Sequence, residues 1–427
     1  MGLVLTAHYF AGIASTPFHP DESTQLFMSS DFKTLLTAPT ALAWDPVTDD
    51  SAAQRYRLID APLTRYLVGF GLMIVGNNPP KSDWDWSADW QENQARGSLT
   101  DAGVLLGGRI TLSLLFPMTL YFVYLVLTRF FGRSAGLFGM FLYGTNALVL
   151  LHTRRIMAEP ALVAAIALAL VSLSAAPTRP WIIGLAAGLA FNAKHSAIAF
   201  FPVGLIAVIW PIPRSKIHLR RSVRNGIEYV AIFMAISLLL NPVFWKEPLE
   251  AIQASLLERK DLLTRQVNET GELAPGQILR TPGERAAILL ANLYVTPPIV
   301  SEVGNYDQDL ENDINAYMEN PANSLFRGYL WGGISLGGTL LGVVVWAFSI
   351  PGTEPRLRRF MTLLLLYSLS QAAFVIFFIP LPWQRYSIPM VPITTCLTTV
   401  GFFWLMKTSR RYLTGGRLRA LLPKIFA

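Results

Sequence analysis

The chain has 427 residues, of which 52% are hydrophobic and 15% charged, with a formal net charge of +7. Soluble proteins carry about a quarter charged residues, so this composition excludes an ordinary water-facing surface on so long a chain. The positive charge does not indicate nucleic-acid binding, because the basic residues cluster at the ends of apolar runs, where they orient membrane spans. The single cysteine, Cys396, excludes an internal disulfide and is expected to be a small core residue.

Ten apolar stretches predict an all-α polytopic membrane protein, with residues 1–427 forming one transmembrane domain. A spanning helix needs about 20 mostly apolar residues. The pair 181–193 and 195–210 is either two tilted helices or one helix with a polar break. A cleaved signal peptide is the alternative for the first span. The predicted spans are 1–16, 104–127, 135–151, 158–174, 181–193, 195–210, 227–244, 328–349, 360–380 and 385–406.

Lysine and arginine residues set the orientation of these spans. Segments 211–226 and 350–359 and the tail 407–427 are basic, and in a ten-span chain all three lie on one side, which we assign to the cytoplasm. Both termini are then cytoplasmic. The loops 17–103 and 245–327, with twelve and thirteen of the 28 acidic residues, lie on the outer side of the plasma (inner) membrane.

The first outer loop contains an apolar stretch at 63–76 that is too short to span the membrane. We expect it to form an interfacial helix lying on the membrane surface. Trp84, Trp86 and Trp90 follow it and suit the headgroup level, where tryptophan is enriched. The first loop is therefore predicted to rest on the membrane rather than to project into solvent.

Two adjacent carboxylates, Asp21 and Glu22, follow the first span directly, after His19-Pro20. Like charges this close disfavour joint ionisation, so we expect one of the two to have a raised pKa and to act as a base near neutral pH. The alternative is that Asp21 caps a helix that runs to about Leu36.

Arginines also occur on the outer side, where the positive-inside rule disfavours them. Arg154 and Arg155 lie between the third and fourth spans, five and four residues before Glu159. A phosphate partner would explain them, because guanidinium pairs with phosphate in bidentate fashion. Salt bridges to the acidic outer loops are the alternative.

Other polar residues interrupt or flank apolar stretches. Asn192, Lys194 and His195 mark either a site or cavity at that depth, or a plain turn with an extended lysine. Arg385 and Tyr386 lie at the outer end of the last span, where Arg385 either binds an anion or anchors the span. Together with the residues above, and with Arg109, these positions bring opposite charges to one outer face, which suits a lipid-linked phosphate substrate.

Six stretches in this order resemble the GT-C superfamily of membrane glycosyltransferases, which includes protein O-mannosyltransferases and aminoarabinose transferases of lipid A. Glu159 stands where an aspartate is more familiar in that superfamily. The stretches that carry the resemblance are 19–22, 60–66, 154–159, 188–194, 241–248 and 383–386.

The resemblance implies an inverting glycosyltransferase that moves a sugar from a polyprenyl-phosphate donor to an acceptor hydroxyl on a protein, lipid or glycan. Asp21, Glu22 and Glu159 would be catalytic, and Asp21 and Glu159 would hold the divalent metal that part of the superfamily uses. The implied substrate-binding residues are His19, Arg154, Arg155, Asn192, Lys194, His195, Arg385 and Tyr386.

Two other functions fit a polytopic membrane protein with polar groups between its helices. One is a transporter or flippase for a lipid or sugar, which usually places its polar groups near mid-membrane and often has inverted repeats. The sequence shows no such repeat, and its charges gather towards one surface. The other is a non-catalytic subunit of a membrane complex.

Overall fold

The structure is a computed structural model that describes residues 1–47, 51–175, 179–210, 216–301, 306–348 and 355–413. Within these ranges every regular element is a helix, which confirms the all-α prediction. Several positions used in the orientation argument lie outside the described residues. They are residues 211–215, 349–354 and 414–427, which include most of the predicted basic tail.

Twenty α-helices follow one another along the described chain. Helices α2–α6 lie in the first predicted outer loop, and the 26-residue helix α15 and the shorter α16 and α17 lie in the second. The helices are α1 (Gly2–Ala11), α2 (Pro20–Met28), α3 (Asp31–Thr37), α4 (Ala52–Ile59), α5 (Leu63–Val75), α6 (Trp90–Ala95), α7 (Ala102–Ser113), α8 (Leu115–Phe131), α9 (Arg133–Gly144), α10 (Ala147–Thr153), α11 (Glu159–Ser174), α12 (Pro180–Ala193), α13 (Phe201–Ile209), α14 (Lys216–Leu240), α15 (Pro248–Leu273), α16 (Pro282–Tyr294), α17 (Glu311–Glu319), α18 (Gly328–Phe348), α19 (Pro355–Phe378) and α20 (Val391–Leu413). Short 3₁₀ helices occur at Pro39–Leu42, His195–Phe200, Pro242–Phe244, Pro275–Gln277, Pro321–Asn323 and Gln384–Met390.

Five described helices are long and apolar enough to cross a membrane, and the bent pair α9 and α10 makes a sixth if it counts as one span. The other four predicted spans, 1–16, 158–174, 181–193 and 195–210, coincide with apolar helices of only 10–17 residues. The total of ten spans is therefore not confirmed and stays a prediction. The five long helices are Ala102–Phe131, Leu219–Leu240, Pro321–Ala347, Pro355–Phe378 and Gln384–Ser409.

Helix α11 forms the centre of the molecule. It packs against α8, α12 and α19, and its side chains are buried on nearly every face, as expected of a helix that is apolar all round. Its many alanines let neighbouring helices approach closely. The first residue of this central helix is Glu159, so the buried core leads directly to a predicted site residue. Cys396 of α20 lies in the same core, as predicted.

Helices α18 and α20 pack with their backbones in contact. A Cβ atom on Gly401 would lie 2.0 Å from the carbonyl oxygen of Gly338, and one on Gly342 would lie 2.2 Å from that of Leu397. These separations are shorter than any real Cβ contact, so only glycine fits at these crossing points. The pair is the principal helix contact of the C-terminal part of the described chain.

The expected interfacial helix is present as α5, and Gly76 follows it in the left-handed conformation (φ 73°). One face of α5 packs against α2, α3 and α7. Its last turns expose Phe70, Met73, Ile74 and Val75. This exposed apolar surface suits the headgroup boundary of a membrane, and the location at the interface stays a prediction.

The tryptophans after α5 differ in their surroundings. Trp84 is only 3% exposed and packs with Phe18, Tyr306 and Leu310, and its location at the headgroup level stays a prediction. Trp86 remains largely exposed. The large apolar area of an indole stabilises a small core of its own here, and this core joins the two predicted outer loops.

Candidate functional site

A capping box holds the first turn of α2. His19 is the N-cap: its Nδ1 accepts a hydrogen bond from the Asp21 amide (3.1 Å), and its own amide donates to the Glu22 carboxylate (3.1 Å). The alternative in which Asp21 caps a helix to Leu36 is therefore wrong, because His19 is the cap and α2 ends at Met28. Burial lowers the pKa of His19 to about 3, so the cap is a neutral imidazole.

Glu22 lies in a closed ion pair with Arg109 of α7. Arg109 Nε donates to Oε1 at 2.8 Å and Nη2 donates to Oε2 at 2.6 Å, while the Ile156 amide donates to Oε1 at 2.9 Å. The Glu22 side chain is 0% exposed. A carboxylate with all of these donors and no exposed surface does not meet a substrate, so the geometry gives the predicted catalytic Glu22 a structural part instead.

Arg154 is also fully buried, at the end of α10. Its Nε donates to the Tyr9 carbonyl (3.0 Å), Nη2 to the His8 carbonyl (3.1 Å) and Nη1 to Asn323 Oδ1 (3.0 Å). These bonds join α1 to α10 and to the segment before α18. The Arg154 guanidinium group thus donates to carbonyl oxygens of the protein itself, whereas the sequence predicted that it binds a phosphate or forms a salt bridge.

Arg155 repeats this arrangement one residue later. Its Nε donates to the Pro17 carbonyl (3.1 Å) and its Nη2 to the Val300 carbonyl (2.8 Å), and its side chain is fully buried. Neither Arg154 nor Arg155 forms an ion pair within the part of the chain that the structure describes. A guanidinium group can donate hydrogen bonds to backbone carbonyl oxygens that have no partner within a helix. This role accounts for the two arginines at this position without a bound substrate.

Asn192 connects two helices. Its Nδ2 donates to the Gly188 carbonyl (2.7 Å), and its Oδ1 accepts a hydrogen bond from the side-chain amide of Asn241, just after α14. The Asn192 side chain is 0% exposed. A buried amide pair of this kind fixes α12 against α14, and it leaves Asn192 without access to a substrate.

Asp21 differs from Glu22 in having an open carboxylate, which is 34% exposed. It forms an ion pair with Arg385 of the 3₁₀ helix Gln384–Met390. Partial burial raises the pKa of Asp21, but the charges of Arg385 and Lys194 and the hydrogen bond from Arg385 outweigh that effect and hold the pKa below its usual 3.8. The expected raised pKa is therefore wrong for Asp21, because the two adjacent carboxylates each have an arginine of their own.

Glu159 and Lys194 form a second ion pair, with Nζ 2.6 Å from Oε1. Lys194 lies between α12 and the following 3₁₀ helix, and its ammonium group is 5.0 Å from the centre of the Tyr386 ring. Such a contact between a cation and an aromatic face is favourable. Lys194 keeps 18% of its side chain exposed. Arg385 lies in the same way over Trp383, at 4.5 Å.

These contacts define a charge cluster formed by Asp21, Glu159, Lys194, Arg385 and Tyr386. The 3₁₀ helix Gln384–Met390 brings Arg385 and Tyr386 to it, α2 brings Asp21, and the start of α11 brings Glu159. Arg385 and Tyr386 are neighbours in the chain and contact Asp21 and Lys194 respectively, so the two ion pairs belong to one site. Five of the eleven predicted site residues therefore meet, from four distant parts of the chain.

Several further residues adjoin Asp21, and the sequence analysis did not single them out. Asp60 and Asp83 of the first long loop both interact electrostatically with Asp21. Burial raises the pKa of Asp60 and of Asp83, and the charge of Asp21 adds to both shifts. Asp60 is the first residue of the 60–66 stretch that carries the resemblance, but neither acid was predicted as a site residue, because in sequence both look like solvated loop residues.

His195 lies beside this region rather than in the charge cluster. Its Nδ1 is 3.4 Å from Nη2 of Arg259, a residue of α15 that also donates to the Ile59 carbonyl. Ser255 of the same helix donates to the Leu58 carbonyl at 2.6 Å. Helix α15 thus covers the end of α4, and Arg259 is a basic residue near the site that sequence reasoning missed.

The predicted metal pair, Asp21 and Glu159, is arranged differently from a metal site. Each carboxylate is already neutralised by a cation, Arg385 for Asp21 and Lys194 for Glu159. Across the described ranges there is no group of three or more histidine, cysteine, aspartate or glutamate side chains placed to hold a metal. The residues do not fit a divalent ion in this arrangement, and the chemistry below includes no metal step.

Comparison with protein families gives no matching family model, and no curated protein sequence matches. Solved structures do match. The apo crystal structure of the Archaeoglobus fulgidus oligosaccharyltransferase aligns at 12% identity with a TM-score of 0.42, over 92% of this chain and 51% of that chain. The complex of AglB from the same organism with an inhibitory peptide and a dolichol-phosphate aligns at 11% identity and 0.41, over 93% and 52%.

A third structure, the oligosaccharyltransferase with Zn and sulfate, aligns at 12% identity and a TM-score of 0.41, over 90% of this chain and 51% of that chain. The chain thus spans about half the length of the solved proteins that it matches.

Proposed function

We propose that the chain is an inverting glycosyltransferase that moves a sugar from a polyprenyl-phosphate donor to an acceptor hydroxyl on the outer side of the plasma membrane. The observation that carries this proposal is an open carboxylate beside two cations. Among the three predicted catalytic carboxylates, Asp21 exposes 34% of its side chain, whereas Glu22 and Glu159 expose 0% and 1%. Asp21 is thus the carboxylate that an incoming hydroxyl reaches.

Arg385 and Lys194 are the groups that would hold the donor phosphate. Arginine binds phosphate oxygens in bidentate fashion, and lysine acts as a mobile point charge. Both side chains keep some exposed surface, 13% for Arg385 and 18% for Lys194, in contrast to the sealed Arg154 and Arg155. The phosphate and Asp21 are then rival partners for the same guanidinium.

In the proposed reaction, the acceptor oxygen attacks the anomeric carbon from the face opposite the phosphate. Asp21 takes the proton of the acceptor hydroxyl, a new carbon–oxygen bond forms, and the bond between the anomeric carbon and the phosphate oxygen breaks. The electron pair of that bond leaves with the phosphate, and the products are the glycosylated acceptor and polyprenyl phosphate. Arg385 and Lys194 stabilise the charge that develops on the leaving phosphate.

Donor binding would also prepare the base. In the free protein, Arg385 contributes to holding the pKa of Asp21 below its usual value, which makes Asp21 a weak base. When Arg385 turns to the donor phosphate, that charge no longer lowers the Asp21 pKa, and the carboxylate becomes a better proton acceptor. Asp21 is thus strengthened as a base when a donor is present.

Glu159 is a positioning residue in this proposal. Its buried carboxylate holds Lys194 by a 2.6 Å ion pair, and the Tyr386 ring supports the same ammonium group from another side. Lysine is a flexible side chain, so these two contacts fix where its charge meets the phosphate. Glu159 acts on the reaction through Lys194.

The test uses Asp21→Asn in the purified full chain, reconstituted in liposomes with undecaprenyl-phosphate glucose and undecaprenyl-phosphate mannose as donors. The measurement is the release of undecaprenyl phosphate in the presence of a hydroxyl acceptor. We expect a loss of at least about 100-fold, the usual contribution of a general base. The matched control is Asp85→Asn, which removes an exposed carboxylate paired with Arg96 in the same loop.

Full activity in Asp21→Asn would remove Asp21 as the base. Passage of the intact glycosylated lipid across the liposome membrane, without release of undecaprenyl phosphate, would favour the flippase alternative and overturn the proposed transfer. The control variant shows whether the loss of one loop carboxylate is sufficient to disturb the protein.

A further inference from the structure

A groove of about 370 Å³ lies in the second predicted outer loop, between residues 298–301 and the first turns of α17. Four of the side chains that line it are apolar: Pro298, Val300, Ile314 and Met318. Ile314 and Met318 keep part of their surface accessible. The proposed reaction does not use this groove. Its size and its apolar lining suit one extended side chain of a ligand.

The other side chains that line the groove are polar. Asp307 and Glu311 supply two carboxylates, one half-buried and one exposed, and neither forms an ion pair among the described residues. Asp307 Oδ1 and the hydroxyl oxygen of Ser301 are buried and have no hydrogen-bond partner in the described chain. A buried acceptor without a partner costs free energy. The groove thus favours a ligand that donates hydrogen bonds.

The charge of the surrounding segment favours a cation. Residues 286–326 include six aspartate and glutamate residues and no lysine, arginine or histidine. Besides the two acids of the groove, Asp309, Asp313 and Glu319 of this segment are exposed. Like charges on one segment repel one another, and their potential attracts cations and repels anions such as phosphate. A cationic partner complements this surface.

Hydrogen bonds join the groove to the charge cluster. The side chain of Gln384 accepts a hydrogen bond from the Ile299 amide (2.8 Å) and donates one to the Pro297 carbonyl (2.7 Å). Gln384 directly precedes Arg385, which forms the ion pair with Asp21. The segment that lines one side of the groove is therefore bonded to the neighbour of a site residue, and a ligand in the groove lies close to the charge cluster.

The lining of the groove selects among cationic ligands. A metal ion is not favoured, because no three histidine, cysteine, aspartate or glutamate side chains of the described ranges are placed to hold one. An amino sugar has no alkyl stem to cover the apolar lining. Lysine and arginine have both an alkyl stem and a cationic group with several donors. The exposed surface of α17 is polar and acidic at Glu311, Asn312 and Asp313, which indicates a ligand that arrives from water rather than from lipid.

We propose that the groove binds a lysine or arginine side chain of the acceptor, and that the acceptor is a basic polypeptide. This inference rests on the proposed glycosyltransferase function, which leaves the acceptor open among proteins, lipids and glycans. The cationic group of the ligand meets Asp307 and Glu311, and its alkyl stem covers Ile314 and Met318. A serine or threonine near that cation in the acceptor then brings its hydroxyl to Asp21.

The experiment measures peptide binding to the full chain in phosphatidylcholine nanodiscs, without a donor lipid. The probe is a fluorescent peptide of alternating serine and lysine. Two counterparts replace lysine by glutamate, which reverses the charge, or by diaminopropionate, which keeps the amine on a shorter stem. We expect the diaminopropionate peptide to bind about fivefold more weakly than the lysine peptide, because apolar contact is lost, and the glutamate peptide not to bind. Added NaCl should weaken binding of the lysine peptide.

The double variant Asp307→Asn with Glu311→Gln removes both carboxylate charges with little change of volume. We expect it to weaken binding of the lysine peptide about fivefold to tenfold, as two partly exposed charge pairs are lost. The matched control is Asp313→Asn with Glu319→Gln, which removes the same charge from the same segment at exposed positions outside the groove. The control should leave the affinity within about twofold.

Equal losses in the groove variant and in the control would overturn the proposal, because the attraction would then come from the net charge of the loop. If the double groove variant does not fold, the comparison rests on the exposed Glu311→Gln against Glu319→Gln. The first must lose about threefold in affinity and the second must not. No loss in Glu311→Gln would overturn the proposal as well.

Two further outcomes would contradict the assigned ligand. Equal affinities of the lysine and diaminopropionate peptides would show that the apolar lining holds no alkyl stem. Loss of peptide binding in nanodiscs that contain phosphatidylethanolamine would make the lipid amine the occupant of the groove. The readout is binding without sugar transfer, so a chain that binds the lysine peptide selectively but transfers no sugar would contradict the proposed function and not the peptide site.

Discussion

Arg385 donates a hydrogen bond to Asp21, although 364 positions of the chain separate the two residues. This contact brings the first turn of α2 against the 3₁₀ helix that precedes α20. It joins the nearest cation to the one open carboxylate of the predicted catalytic set. The protonation of Asp21 therefore depends on a residue from the opposite end of the sequence.

Arg385→Gln should shift the acid limb of the kcat/KM profile to higher pH. In the wild-type protein the pKa of Asp21 lies below 3.8, so the base stays ionised until the pH falls through that lowered value. Without Arg385, the burial that raises the Asp21 pKa is less opposed, and activity falls at a higher pH. The profile of release of undecaprenyl phosphate between about pH 3 and 7 measures this. Arg96→Gln, at an exposed ion pair, should leave the limb in place, and an unmoved limb in Arg385→Gln would contradict the assignment.

Arg109→Met should destabilise the protein by about 3–5 kcal/mol, because it leaves the Glu22 carboxylate buried and without its cation. The free energy of unfolding in mixed micelles measures the effect. The comparison variant is Arg96→Met, which breaks an ion pair whose partners are 51% and 37% exposed. Exposed pairs contribute about 0–1 kcal/mol. Similar losses in the two variants would show that the Glu22–Arg109 pair is not sealed.

Gly401→Ala should lower the stability of the α18–α20 contact by about 1–3 kcal/mol, since its Cβ has no space beside the Gly338 carbonyl. Gly337 is the control on α18, because a Cβ there meets no atom within 4 Å. Gly337→Ala should be neutral or stabilising by up to about 1 kcal/mol through its helix propensity. The measurement is the melting temperature of each variant. Equal melting temperatures would show that α18 and α20 do not approach most closely at Gly401.

The sequence was sufficient to predict an all-helical membrane protein and to bring Asp21, Glu159, Lys194, Arg385 and Tyr386 to attention. Charged residues beside apolar runs need partners, and such residues can be recognised from the sequence alone. The number of spans was not predictable in the same way. Helices of the core, such as α11, have fewer residues than a full span needs. Neighbouring helices bury their apolar side chains, so hydropathy and length do not show whether they cross the membrane.

The identity of each partner could not be predicted from residue type. Arg154 and Arg155 were expected to bind phosphate, but they satisfy backbone carbonyls, a contact that depends on how α1 and the segment at Val300 come together. Glu22 and Asp21 are adjacent in sequence, yet a helix turns their side chains in different directions. One meets Arg109 in the core and the other meets Arg385 at an open surface.

Residues without a partner were the least predictable. His152 is one of them, since a buried imidazole whose nitrogens lack partners among the described residues has no signature in sequence. Asp60 and Asp83 are acids in an acidic loop, and their closeness to Asp21 follows from the fold of that loop. These positions were found because the structure shows which polar atoms are buried and which of them remain unbonded.

Cys396 is the chain's one cysteine and is only 1% exposed. The buried Cys396 thiol is shielded from labelling reagents, so it does not need to be replaced before a cysteine is introduced elsewhere. A single sulfhydryl placed at exposed Arg356, or at Asp85, becomes the sole target of a membrane-impermeant maleimide applied to intact cells. Modification at 85 but not at 356 would establish which compartment each loop faces.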